Sequence, residues 1–474
     1  MRRMFSFDEV VSAVNGTVVN RKGSISGTLF ISGVSTDTRT IKEGDIYIAL
    51  KGENFDGHNY TSDAILKGAY AVVVNSATKV PDNAVGIVVK DTCIALGDLA
   101  RHYRFKLGAK VIAVTGSVGK TTTRNLITAA LEPSFNVYST KKNLNNEIGL
   151  PTTILQAPDN TNVLVLEMGM RGRGEIEYLT KIANPDIAVI TNVGYSHIGR
   201  LGSREEIRAA KCEIIDGLTE QGILIVNGDD GFLSDYVRNI IPLNNGLAEV
   251  CSDKAVTGPV GIRAYDIKDN DGTDFNAVIT VGDRKNVYEN MHISLSGSHN
   301  VRNACFALFI ADFLKADMDL TRKAIASYTP MDGRGKTYYG KKYTIINDAY
   351  NASPESMAAA FPSLQNVRGK RKIAVLGGML ELGDQSSFLH EKTGEAAGGF
   401  AFDKVIVTGE DRDAFIRGFR KNNKTTEIIS CEDTQEVSRR LSEIIREGDA
   451  ILFKASHSFG FETLAEGLIN DDKD

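Results

Sequence analysis

Residues 115–122 read Thr-Gly-Ser-Val-Gly-Lys-Thr-Thr. Gly116 and Gly119 let the backbone curl so that N–H groups around Ser117 and Val118 point at phosphate oxygens. Lys120 can reach β- and γ-phosphate oxygens, and the Thr121 hydroxyl can ligate Mg²⁺. Thr115 closes an apolar run that starts at Val111, and Thr122 enters a helix-prone stretch that continues over Arg124–Leu131. Strand, glycine turn, then helix is the context that a triphosphate cradle needs, and the helix start adds its positive dipole end. The pattern is shorter than the full one: Val114 stands where an earlier glycine is usual. A Gly-Lys-Thr triplet in a bare turn means little; the flanking strand and helix make ATP the expected ligand.

Other polar groups fall at the ends of apolar runs. Glu167 closes Val163–Glu167, where an ionised carboxylate is costly unless it meets a cation. It either faces Mg²⁺ beside the phosphate loop or caps the next helix. His197 follows the run Ile187–Thr191 in a glycine-containing loop, either in a site or as a satisfied loop residue. Lys211 lies in a helix opened by Ser203 and Glu206, a capping-box pair, and by composition alone it is a solvated helix lysine. Asn143, Asn145 and Asn146 offer uncharged donors and acceptors for a sugar, peptide or diphosphate, or form an ordinary turn. Asp348 can accept from ribose hydroxyls and Asn351 can donate, while their segment also reads as the cap of a helix starting at Pro354.

The elements that must hold these groups predict an α/β protein of three domains. Short strand-like runs (Thr28–Ser32, Asp45–Leu50, Tyr70–Val74, Val85–Val89) and a helix from Thr92 to Phe105 make an N-terminal α/β domain, 1–106. Residues 107–329 alternate apolar runs with helices, which indicates a parallel sheet covered on both faces. A β-rich insertion, Gly258–Ile293, has its turn at Asp269–Thr273. A Rossmann-like α/β domain, 330–474, follows Pro330–Gly335. The charged tail Asp471–Asp474 reads as solvated or frayed.

Bulk properties narrow the function. A chain of 474 residues with 42% hydrophobic and 24% charged content is an ordinary multidomain globular protein. A net charge of −5 argues against a nucleic-acid partner. Five scattered cysteines without a Cys-x-x-Cys pair fit reduced thiols in the cytoplasm. The start lacks the apolar stretch of a signal peptide, and no run is long enough to span a membrane.

Ten short segments, taken in order, resemble the Mur ligase family of peptidoglycan synthesis along essentially the whole chain. They are Ser35–Arg39 with Gly44–Gly52, Thr115–Thr122, Asn143–Pro151, Glu167–Gly169, Ser196–His197, Lys211, Gly297–Ala304, Asp332–Arg334, Asp348–Pro354 and Gly377–Gly383. The Asn143–Pro151 and Asp348–Pro354 motifs favour the dipeptide-adding branch. The resemblance implies an ATP-dependent ligase with Mg²⁺, two ions in all. Its substrates would be a UDP-N-acetylmuramoyl-tripeptide and D-alanyl-D-alanine, joined through an acyl phosphate, and a monomer is expected. Ser35, Asp37 and Arg39 match positions that dock the UDP end; Asn143, Asn145 and Asn146 match the stretch that meets the same substrate. Lys120, Thr121 and Glu167 match the triphosphate and one Mg²⁺. His197 and Lys211 match a second Mg²⁺, with Lys211 at the place of a lysine carboxylated on its side-chain nitrogen. Asn300 and Asn303 match adenine contacts, Arg334 the phosphates, and Asp348 the ribose.

Two positions depart from the family pattern. The stretch Lys454–His457 replaces a usual Lys-Gly-Ser-Arg, and Gly378 replaces an acid. Other readings stand beside this one: a relative adding the third amino acid, a folate-extending ligase, or a phosphate-loop ATPase without ligase activity.

Overall fold

The apolar runs of the middle of the chain become strands because nearly every side chain in them is buried on both faces. Lys110–Thr115, Val163–Glu167, Ile187–Ile190 and Ile223–Asn227 pair in parallel. Parallel pairing requires crossover helices on the faces, so the strands carry no polar alternation. A computed structural model describes residues 3–20, 30–241, 246–252, 254–269 and 272–473. Within it, these strands form the middle of a nine-stranded sheet, with Val137–Ser139 at one edge and Arg284–Ile293 at the other.

The β-rich insertion forms the antiparallel end of that sheet through Val260–Asp269, Thr273–Val281 and Arg284–Ile293. Thr273–Val281 alternates buried and half-buried positions, as a one-sided strand should. Phe275, Ala277 and Ile279 share a core with the helix Ser298–Phe313. Asn270 and Asp271 of the predicted turn lie outside the described residues.

Two further sheets flank this one. The N-terminal sheet has five strands, with Gly33–Ser35 and Thr17–Val19 at its edges. Of the predicted strand Thr28–Ser32, Phe30–Ile31 pairs with Phe5–Ser6, and Thr28 and Leu29 lie outside the described residues. The helix Thr92–Leu107 turns its buried face to the central layer, where the Tyr103 hydroxyl donates to Ala157 O at 2.9 Å. The C-terminal sheet runs Lys336–Tyr339, Thr344–Asn347, Asp449–Lys454, Arg371–Leu376, Lys404–Thr408, Glu427–Cys431, and only its first pair is antiparallel.

The cap expected within Asp348–Pro354 is supplied by Ser353, with Pro354 in the first turn of the helix Pro354–Asn366. Two other local expectations are corrected. Ser203 accepts from Glu206 N, but the Glu206 carboxylate turns to Arg173 at 3.3 Å, so only half of that box forms. The charged tail is helical through Lys473 rather than frayed: Asp471 and Lys473 are exposed, buried Asp472 accepts from Lys342 N at 2.7 Å, and Asp474 lies outside the described residues.

Candidate active site

The phosphate loop joins Lys110–Thr115 to the helix Lys120–Leu131. Gly116 has φ of +149°, and a Cβ there would fall 1.9 Å from Thr191 Oγ1, so only glycine fits. Ser117 N and Val118 N donate to the backbone and side-chain oxygens of Asn192, at 3.1 and 3.0 Å. The donors left for an anion therefore include Gly119 N and those of the helix's first turn, Lys120–Thr122. Lys120 Nζ donates to Gly116 O at 2.7 Å and to Ser117 O at 3.3 Å. Burial lowers its pKa, opposed by the charge of Glu167.

Glu167 is the knot of the site. Its Oε2 accepts from Thr121 Oγ1 at 3.0 Å and from Arg124 Nη1 at 3.1 Å, and its Oε1 accepts from Asn145 Nδ2 at 2.8 Å. Glu167 and Arg124 are 3% and 2% exposed, so this ion pair is out of water. The carboxylate caps no helix. Thr115 is turned away, donating to Met168 O at 3.0 Å.

The C-terminal domain closes over the loop. Arg334 Nη2 lies 3.4 Å from Thr121 Oγ1, and its guanidinium stacks 3.6 Å above the Tyr350 ring. Asp348 forms an ion pair with buried Lys454 at 2.6 Å, and Lys454 also donates to Asn351 O at 3.1 Å. On the facing wall Asn303 Nδ2 donates to Asn300 Oδ1 at 3.3 Å, and Asn303 Oδ1 accepts from Thr123 Oγ1 at 3.1 Å. These groups and residues Ser117–Thr122 line one cavity of about 260 Å³. The carboxyl ends of both parallel sheets thus face a shared cleft, where such folds bind ligands.

A second cavity of about 700 Å³ opens on the other side of Lys120. It is lined by His197, Lys211, Asn146, Arg171 and Arg173, and it shares Lys120, Asn143 and Asn145 with the first. Lys211 is not a solvated helix lysine: it is 1% exposed. No ion pair engages it among the described residues. Burial, then the charge of Lys120, pushes its pKa well below the ordinary lysine range. His197 sits at φ of +68°, and its Nδ1 lies 2.6 Å from Glu381 Oε2. Burial lowers its pKa while Glu381 opposes the shift.

Most of the expected set thus meets around two joined cavities. The trio Ser35, Asp37 and Arg39 does not: it forms a turn on the N-terminal sheet and lines neither cavity. Arg39 grips Asp37 through Nε and Nη2, at 2.9 and 2.6 Å, which holds the carboxyl down at about 2. Arg124, Arg171, Arg173, Tyr350 and Glu381 were not anticipated as members. Arg124 was findable: Lys120, Arg124, Ile127 and Leu131 stand one turn apart on a single helix face.

Three descriptions of known domains match the chain in order. They are Mur ligase family, catalytic domain (residues 30–104), Mur ligase middle domain (114–311) and Mur ligase, glutamate ligase domain (333–457). The UDP-N-acetylmuramoyl-tripeptide–D-alanyl-D-alanine ligase of Bacillus subtilis is 37% identical over 469 residues, covering 96% of this chain and 99% of that protein. MurF of Acinetobacter baumannii has a similar structure, with TM-score 0.86 and 28% identity over 98% of this chain and 99% of that one. The MurF ligase of Thermotoga maritima, solved in complex with ADP, gives TM-score 0.80 and 29% identity over 93% of this chain and 98% of that one. A full-length match at that identity, with the three domain types in order around one phosphate loop, has one meaning: the chain belongs to the Mur ligase family.

Proposed function

We propose that this chain uses ATP to join D-alanyl-D-alanine to a UDP-N-acetylmuramoyl-tripeptide. One observation carries the reading: two cavities meet at Lys120, Asn143 and Asn145. A nucleotide in the first directs its γ-phosphate at the junction, and a peptide carboxylate in the second reaches the same point. That carboxylate attacks the γ-phosphorus, giving an acyl phosphate and ADP. The dipeptide amine then attacks the activated carbonyl, loses a proton, and expels phosphate.

Little covalent work falls to the protein, so positioning and charge neutralisation dominate. Lys120, Arg334 and the helix N-terminus lie against the triphosphate. Asp348, held by Lys454, receives the ribose, with Asn351 beside it, and Asn300 and Asn303 face the adenine. The UDP end docks at Ser35, Asp37 and Arg39, and Asn146 lies along the route inward.

Mg²⁺ suits the residues present. The Thr121 hydroxyl donates to Glu167 and accepts from Arg334, which leaves its oxygen one lone pair, and Glu167 Oε1 has accepted only one bond. Bound there, Mg²⁺ neutralises charge on the transferring phosphoryl group. A second ion belongs at His197 and Lys211. A buried amine held in no ion pair among the described residues suits carbamylation: neutral Lys211 Nζ adds to CO₂, forms an N–C bond and releases a proton. The product is an anion where a lysine could only repel a cation.

We place the domain divisions at 106/107 and 329/330. We take the chain to act as a monomer. No helix among the described residues is long and apolar enough to cross a membrane, and the nucleotide-linked substrate suits a cytoplasmic enzyme.

ADP release tests the reading. Release should require the UDP-muramoyl tripeptide and rise with D-alanyl-D-alanine; phosphate release that ignores every amine would favour a plain ATPase. Lys454→Met is expected to raise the KM for ATP about tenfold. A charge-assisted hydrogen bond to a half-buried carboxylate contributes about 1.5–3 kcal/mol, and 1.4 kcal/mol is tenfold. Steady-state kinetics at varied ATP decides it, and an unchanged KM removes Lys454 from the site.

A further inference from the structure

The loop Gly194–Gly202 separates the two cavities: Ser196 lines the first and His197 the second. Two segments of the C-terminal domain grip this loop. At one end Tyr195 N donates to Glu355 Oε1 at 2.8 Å. At the other Gly199 N donates to Glu381 O at 2.9 Å. Gly199 and Gly383 meet backbone to backbone, and a Cβ on Gly199 would come within 2.6 Å of Gly383 N. His197 and Glu381 both take the left-handed conformation, with φ of +68° and +62°, which non-glycine residues seldom adopt. The result brings His197 Nδ1 to 2.6 Å from Glu381 Oε2.

We propose that Glu381 is a positioning residue that orients His197 across the domain boundary. Nδ1 is buried and has no hydrogen-bond partner among the described residues, and a carboxylate oxygen 2.6 Å away draws the ring proton to that nitrogen, leaving Nε2 as the acceptor. The contact spans two domains, so His197 is held in that state only while the C-terminal domain is docked. Closing the nucleotide cleft thereby prepares the second cavity. Nothing in the chemistry of ATP binding requires this link, because the Glu381 side chain does not line the nucleotide cavity. The inference rests on the ligase reading.

The test uses the full chain carrying Glu381→Ala or Glu381→Gln. Dipeptide-dependent ADP release should fall about 10–100-fold in Glu381→Ala, the usual loss when an outer partner of a histidine is removed. The KM for ATP should stay within about threefold of the unsubstituted chain, since the first cavity is untouched. Glu381→Gln keeps an oxygen acceptor for Nδ1–H and should recover most of the rate. The chain has seven histidines, so imidazole ¹⁵N spectra can assign His197 by difference with His197→Gln. With ADP bound, the His197 spectrum should show the Nδ1–H tautomer, and Glu381→Ala should lose it. Gly199→Ala, which pushes the two backbones apart, should lose it as well.

A normal rate in Glu381→Ala, or an unmoved His197 signal, overturns the proposal. So does an ATP KM that worsens as much as the rate falls. Failure of the unsubstituted chain to release ADP with tripeptide and dipeptide would sink the ligase reading itself, a separate result.

Discussion

Lys211→Ala is expected to lower dipeptide-dependent ADP release by about a thousandfold while the chain stays folded. The loss matches removal of a principal electrostatic stabiliser from a water-poor site, about 10²–10³ in rate. Stability should change little because two effects oppose. The lost methylenes cost about 0.8 kcal/mol each. Against that, the substitution removes a buried amine that forms no ion pair among the described residues and that folding must desolvate. Two companions separate a carbamate from a plain ammonium. Lys211→Arg keeps a positive charge but cannot be carbamylated, since guanidinium does not deprotonate, so it should be as inactive as Lys211→Ala. Acetate or propionate should partly restore Lys211→Ala by placing a carboxylate in the emptied space, and should do nothing for Lys211→Arg. Full turnover in Lys211→Ala, or activity in Lys211→Arg, removes the carbamate.

Much of this site was legible because its parts are contiguous. The phosphate loop announces itself in eight residues, and Glu167 is marked by standing at the end of an apolar strand. Lys211 shows a signal that was present and unread. Ile207, Ala210, Lys211 and Ile214 are spaced i, i+3, i+4, i+7, and all four are buried. A lysine on the apolar stripe of a helix is not a solvated one. Asp348 was correctly placed at a strand end, yet its partner Lys454 comes from the neighbouring strand of a parallel sheet, a pairing no local pattern encodes. Glu381 lies further still from legibility, because its partner His197 belongs to another domain and only docking brings them together. Sequence periodicity reports which face of an element is buried. It does not report which other element covers that face.

Glu167→Ala should fail twice, and the two failures can be separated. Arg124, 2% exposed, would keep its charge without a carboxylate. Breaking a buried pair on one side costs about 3–5 kcal/mol. The guanidinium would still donate to Lys142 O and Asn125 Oδ1, at 3.1 and 2.7 Å, so the loss should sit near 3 kcal/mol. Urea unfolding of the unsubstituted and variant chains measures it. The double variant Glu167→Ala with Arg124→Met removes both charges and leaves a similar apolar volume, so it should recover most of that stability. Ligation should remain about a thousandfold down in both variants, because the double variant restores packing and not the carboxylate beside Thr121. Recovery of activity together with stability would mean that Glu167 serves only as the counter-ion of Arg124. An unchanged unfolding midpoint in Glu167→Ala would mean that the pair is wet. In the first case the metal would have to be held by Thr121 and the phosphates alone, and the strand that ends at Glu167 would lose its place in the chemistry; in the second, only the stability argument fails.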